Sequence, residues 1–264
     1  MLWYIGILLI VFGLLGASLI VYIFQDKLMF FPVKLPRDHQ FDLVGNYEEI
    51  NLEARDGEII NGVLFKVKES RGLVFYLHNH SGNLETWSQL AYQLNDENYD
   101  VFLFDYRSFG KSTGKFNEVK TYQDSLDLYD LLAKQYPEES ILVMARGMGA
   151  CFATFLSKMR SPARLFLESP ICDMKLTAFK NYPFLPFIQF VPKYKLDAGK
   201  HIGNVQIPVT LVHGEKNDLV SVANGKKLRR LNPTHVQATF VKEAGHYDLS
   251  QHPTYQKSLM SFLN

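Results

Sequence analysis

Cysteine is scarce in this chain, with only Cys151 and Cys172 among 264 residues. Two isolated thiols exclude a disulfide framework and a CxxC redox pair. An excess of one charge is also missing: 28 Lys and Arg face 27 Asp and Glu, a net charge of +1. That balance gives no reason to expect nucleic acid or an acidic polymer as the main partner. One basic cluster stands out, Lys226-Lys227-Leu228-Arg229-Arg230. It reads as a solvated helix face, with docking to anionic lipid as the alternative. Internal repeats and low-complexity linkers are absent. So is a metal-ligand pattern, because His78 and His80 have no third ligand at a recognisable spacing. No dissociable cofactor is implied.

Charge is wholly absent from Met1 to Phe24. At about 1.5 Å per residue such a helix is about 36 Å long, enough for a hydrocarbon core of about 30 Å. Trp3, Tyr4 and Tyr22 suit its interfacial ends. A cleaved signal peptide fits less well, since no Lys or Arg precedes the apolar run and the run is long. The reading is a single-pass anchor over residues 1–25, followed by one domain over 26–264. Lys27, Lys34 and Arg37 follow the span, offset by Asp26 and Asp38, and do not decide the side of the membrane.

The domain begins with alternating segments at Tyr47–Leu52 and Ile59–Lys66, around the turn Arg55-Asp56-Gly57-Glu58. Leu73–Leu77 and Val101–Phe104 are continuous apolar runs, as in strands covered on both faces. Helical and strand patterns then alternate to the C-terminus. Hairpin first and alternation afterwards imply an α/β protein, a mostly parallel central sheet flanked by helices. Asp173–Gly199 breaks the rhythm with aromatic residues and three prolines, including Phe184, Phe187 and Phe190. It reads as a short cap over an apolar pocket, with simple packing over the sheet edge as the alternative.

Five short segments, each following a strand, carry chemistry. His78-Asn79-His80-Ser81-Gly82 is a turn able to aim N–H groups at an oxyanion, with Asn79 and His80 in it and His78 beneath. Asp105-Tyr106-Arg107-Ser108-Phe109-Gly110 is a glycine-bearing loop that Asp105 or Arg107 can hold together. Its Gly110-Lys111-Ser112 echoes a phosphate loop but lacks the required upstream glycine. Ala145-Arg146-Gly147-Met148-Gly149 has the setting of a nucleophile elbow, with glycine where serine is called for and the Met148 N–H as an oxyanion donor. Asp218 sits where a carboxylate could orient a histidine. His246 follows the last strand as the general base. Cys151, one helical turn beyond Gly147, points into helix packing rather than standing at the tip of the turn.

These segments resemble the α/β-hydrolase superfamily, most closely the Bem46-like membrane-anchored serine hydrolases. The resemblance covers nearly everything from Gln25 onward, through Gln25–Pro32, His78–Gly82, Asp105–Ser112 and Ala145–Gly149, with Asp218 and His246 matching the remaining two motifs. It implies the α/β-hydrolase fold with an N-terminal transmembrane helix and a short aromatic cap, and esterase, lipase-like or deacylase chemistry without a cofactor. This chain departs from the family pattern at Asn79 and His80, at Ser108, and at Gly147, where the nucleophile should stand. Two readings follow. One is a carboxylic ester or thioester hydrolase, inactive or impaired as written. The other is a membrane-tethered, non-enzymatic protein that binds an acyl ligand or a protein. The partners expected are the lipid bilayer and a small apolar acyl molecule, not nucleic acid.

Overall fold

The computed structural model describes residues 2–181 and 193–264. The expected cap is therefore seen only at its two ends, and Phe184, Phe187 and Phe190 lie outside the described residues.

The apolar N-terminal run forms α1 (Leu2–Met29), which continues as helix beyond the expected limit at residue 25. An 18-residue stretch within Trp3–Met29 reaches a mean hydropathy of 2.8, and the helix is long and apolar enough to cross a membrane. Strand β1 (Phe31–Pro32) follows. Next come β2 (Asn46–Glu53), β3 (Ile59–Lys66), β4 (Leu73–Leu77), β5 (Ser81–Gly82) and α2 (Leu84–Asp96). The chain continues through β6 (Asp100–Phe104), α3 (Glu118–Leu132), β7 (Ile141–Arg146) and α4 (Gly149–Met159). It closes with β8 (Arg164–Glu168), α5 (Met174–Asn181), α6 (Gly199–Ile202), β9 (Val209–Gly214), α7 (Ala223–Leu231), β10 (Val236–Val241) and α8 (Pro253–Leu263).

Eight strands make the main sheet in the order β10-β9-β8-β7-β4-β6-β3-β2. The pairs from β10 to β6 are parallel, and β6-β3 and β3-β2 are antiparallel. Alternate residues of each central strand feed opposite faces. Val74 and Tyr76 meet Leu94 of α2 and Leu259 and Phe262 of α8 in one core layer. Phe75 and Leu77 meet Leu128 of α3 and Phe152 of α4 in the other. Covering on both faces explains why β4 and β6 are apolar at nearly every position.

The carboxyl ends of β4, β6, β7, β9 and β10 bring the five sequence segments to one edge of the sheet. Beside them, β1 pairs in parallel with β5, so the stretch leaving α1 is joined to the loop after β4. The Phe31 and Val33 N–H groups donate to His80 O and Gly82 O at 3.0 Å each. Val33 O accepts from the Gly110 N–H, and Gly110 O accepts from the Leu35 N–H, again at 3.0 Å each.

The loop after β4 ends in a capping box. Asn83 Oδ1 accepts from the Thr86 N–H at 3.2 Å, and Thr86 Oγ1 accepts from the Asn83 N–H at 3.3 Å. Asn83→Ala is expected to lower stability by about 1 kcal/mol, as read from the urea midpoint of the full chain.

Candidate active site

Strand β7 turns sharply into α4 at Gly147, whose φ is +54°. This left-handed backbone is the strained strand-to-helix turn on which a nucleophile would be displayed. Gly149 lets the turn pass close to β4, since a Cβ there would lie 2.8 Å from His78 O. The chain thus turns sharply at Gly147, and the space beside that residue is occupied. A Cβ at position 147 would stand 2.7 Å from Asn79 Cγ and nearer still to Asn79 Oδ1.

Asn79 is buried at the centre of the site. Its Oδ1 accepts from the Met148 N–H at 3.3 Å and lies 2.8 Å from His80 Nδ1. These two donors grip the amide oxygen as an oxyanion hole grips a carbonyl oxygen. Asn79, expected as part of the donor turn, is thus the group the donors hold. Its Nδ2 lies 3.5 Å from His246 Nε2.

His246 is buried, and its Nδ1 lies 3.1 Å from Asn217 Nδ2. The orientation of that amide is set by the loop: Asn217 Oδ1 accepts from the N–H groups of Leu219 at 3.1 Å and Val220 at 2.8 Å. Its nitrogen also donates to Ser169 Oγ at 3.1 Å. The assignment of Asp218 as the orienting residue is corrected here. Asp218 is exposed, and the buried position at the ring belongs to its neighbour Asn217. The loop buries one of two consecutive residues and turns the other outward. Asp218 acts on His246 only through its charge.

The consequence is a reversed tautomer. Asn217 donates to Nδ1, so a neutral His246 carries its proton on Nε2. A triad carboxylate would accept from Nδ1–H and leave Nε2 basic. The Nε2 proton then faces the Asn79 amide nitrogen at 3.5 Å rather than an acceptor. Burial foremost, and then the nearby Arg146 cation, pull the His246 pKa down to about 4.

Comparison with known proteins places this geometry. A family model described as serine aminopeptidase, S33, matches residues 68–197, about half of the chain. An α/β-hydrolase domain-containing protein of Caenorhabditis elegans, aho-3, is 24% identical over 91% of this chain and 72% of its own length. A lysophosphatidylserine lipase of Danio rerio is 27% identical over 61% of this chain and 47% of its own. Among solved structures, the Pyrococcus furiosus esterase Pf2001 superposes with a TM-score of 0.70 at 22% identity, over 89% of this chain and 96% of that one. An α/β hydrolase from Vibrio vulnificus gives 0.71 at 16% identity, over 83% and 81%. The chain has the α/β-hydrolase fold.

Relative to the superfamily's working site, the supporting residues are built for rigidity. His78 lies under the loop, with Nδ1 2.6 Å from Asn79 O and Nε2 3.7 Å from Asp105 Oδ1. Burial lowers the His78 pKa to about 4 and raises that of Asp105. Arg107 reaches none of the central groups. It grips Asp124 at 2.7 and 2.9 Å and Asp56 at 2.8 and 3.0 Å, pinning the loop after β6 to α3 and the β2-β3 turn. Ser108 adopts the glycine-like φ of +75° where the family pattern has glycine, and its Oγ accepts from the Phe116 N–H at 3.0 Å. Arg146, which the sequence reading passed over, donates to His246 O at 2.8 Å and pairs with the buried Glu168 at 3.3 Å. Its mark in the sequence was a lone cation inside the elbow. Burial pushes the Cys151 thiol well up, and its Sγ lies 3.7 Å from Ile171 O. Among the described residues no group of three potential metal ligands converges.

His78 and His246, the two histidines depressed furthest, make stability depend on acid. Each ring stays neutral when folded but takes a proton near its ordinary 6.5 when unfolded. The unfolded state therefore binds more protons between about 6.5 and about 4, and stability falls as pH drops through that window. Urea midpoints measured across it should decline for the native chain and less steeply for His246→Gln.

Proposed function

We propose that this chain is a membrane-anchored pseudohydrolase, a Bem46-like relative that keeps the hydrolase scaffold and acts by binding rather than by acyl transfer. The observation that carries the reading is the Asn79 amide, seated where a serine side chain would project and holding the Met148 N–H. Three steps of ester or thioester hydrolysis each lose their agent. Gly147 offers no attacking oxygen. The His246 Nε2 proton prevents that atom from removing a proton from serine or water. The Met148 donor is already satisfied by Asn79, so the small acyl partner expected from sequence would have to displace a buried amide. Burial without a carboxylate at Asn217 further disfavours the imidazolium that acyl transfer requires. The length and composition of α1 support a single-pass anchor.

The native chain, and Gly147→Ser alone, are expected to resist a fluorophosphonate probe and to leave p-nitrophenyl butyrate intact. The single serine variant meets Asn79 and faces a histidine in the wrong tautomer. The triple variant Asn79→Gly, Gly147→Ser, Asn217→Asp should gain both labelling and turnover. Leaving Asn217 in place should cost about 10⁴-fold in kcat relative to the triple variant. Turnover by the native chain that disappears in His246→Gln would overturn the reading.

The anchor is tested separately. Alkaline carbonate should leave the full chain in the membrane pellet and release a variant lacking residues 1–29, whereas release of the full chain would count against the anchor.

A further inference from the structure

Apart from the central site, which its own side chain fills, the domain holds a separate cavity. It has a volume of about 1000 Å³ and lies between the end of α1, the first turns of α3, and α6. Asp26 of α1 forms part of its wall, so one side of the cavity is the same helix that is apolar enough to span a bilayer. That helix end is fastened to the domain. Lys193 Nζ pairs with Asp26 at 2.7 Å, Tyr194 Oη donates to Asp26 at 2.6 Å, and the Lys193 N–H donates to Gln25 Oε1 at 2.7 Å.

The charge lining is unequal. Seven Lys and Arg side chains face five carboxylates. The carboxylates are all engaged. Asp26 holds Lys193, Asp56 and Asp124 hold Arg107, Glu118 accepts the N–H groups of Lys195 and Leu196, and Asp197 accepts that of Lys200. Arg55 is held from outside the cavity by Asp127. The ammonium groups of Lys115, Lys195 and Lys200 form no salt bridge among the described residues, though Lys115 acts on Asp26 through its charge. Deeper in, Phe116, Tyr122, Phe155 and Tyr194 supply an apolar lining. Against it sits His201, only 7% exposed, with Nδ1 making no hydrogen bond. Surplus cations above an aromatic lining suit an anion carried on a hydrocarbon body.

We infer that this cavity binds the phosphate-bearing headgroup of an anionic phospholipid from the bilayer, with Lys115, Lys195 and Lys200 meeting the phosphate and the aromatic lining receiving the glycerol and first acyl carbons. The source assigned to the ligand rests on the membrane reading of α1, which carbonate extraction tests on its own. The cavity's chemistry stands apart from the loss of catalysis.

The test is isothermal titration of the full chain in a neutral detergent with dihexanoyl phosphatidylglycerol, dihexanoyl phosphatidylcholine and inorganic phosphate. One saturating equivalent of the anionic lipid is expected, bound at least about tenfold tighter than either comparison ligand. Replacing Lys115, Lys195 and Lys200 together by Gln should remove that preference, and replacing them by Arg should keep it. Equal binding of the choline lipid, equal binding of inorganic phosphate, an unchanged Gln variant, or no saturable binding would each overturn the assignment.

Discussion

The hydrogen bond from the Met148 N–H to Asn79 Oδ1 joins loops that leave two neighbouring strands, β4 and β7. Much of the site's arrangement depends on that short bridge. Because the Asn79 amide lies against the elbow, position 147 has no room for a Cβ without a shift of that amide. Because its oxygen is held by Met148 and His80, its nitrogen is turned toward His246. The glycine at the elbow and the asparagine after His78 are therefore one structural event recorded at two distant positions. Reading either alone understates it.

Polar accounting around His246 leads to the same place. The imidazole is flanked by amide nitrogens of Asn79 and Asn217, and a neutral ring has one acceptor nitrogen for them. The Asn217 contact is shorter, and that amide's other end is held by two backbone N–H groups. Charging the ring would set two donors against two donors in a buried setting beside Arg146. No carboxylate touches the ring to offset this: Asp218 acts on it through its charge alone, and Glu168 is taken by Arg146 and Tyr255. The ring is held neutral between two amides, where a working hydrolase centre sets a charged carboxylate against it.

The sheet was readable because burial on both faces leaves long apolar runs, and those at β4, β6 and β7 announced strands without ambiguity. The elbow and His246 were readable because their backbone demands recur at fixed places after strands. What failed was the choice between Asn217 and Asp218. Two adjacent loop residues differ in which way the chain turns them, and residue type favoured the carboxylate. The role of Asn79 was hidden for another reason. The spacing places it in the oxyanion turn, but only the packing of β4 against β7 shows that its amide fills the space beside Gly147. Residues 173–199 announced an aromatic insertion, and its far end packs Tyr194 against Phe30 and Phe116.

The pairing of β1 with β5 has a mechanical meaning. No slack linker separates α1 from the domain: one residue after the helix, backbone hydrogen bonds already run to the loop bearing Asn79 and His80, and a few residues later to Gly110. The helix behaves as a lever fixed to those two loops rather than as a leash tied to the domain's rim. Tilt or displacement of α1 would load the Asn79 loop before it strained the central sheet. Any force on the helix is felt first at the loops that carry Asn79 and Gly110.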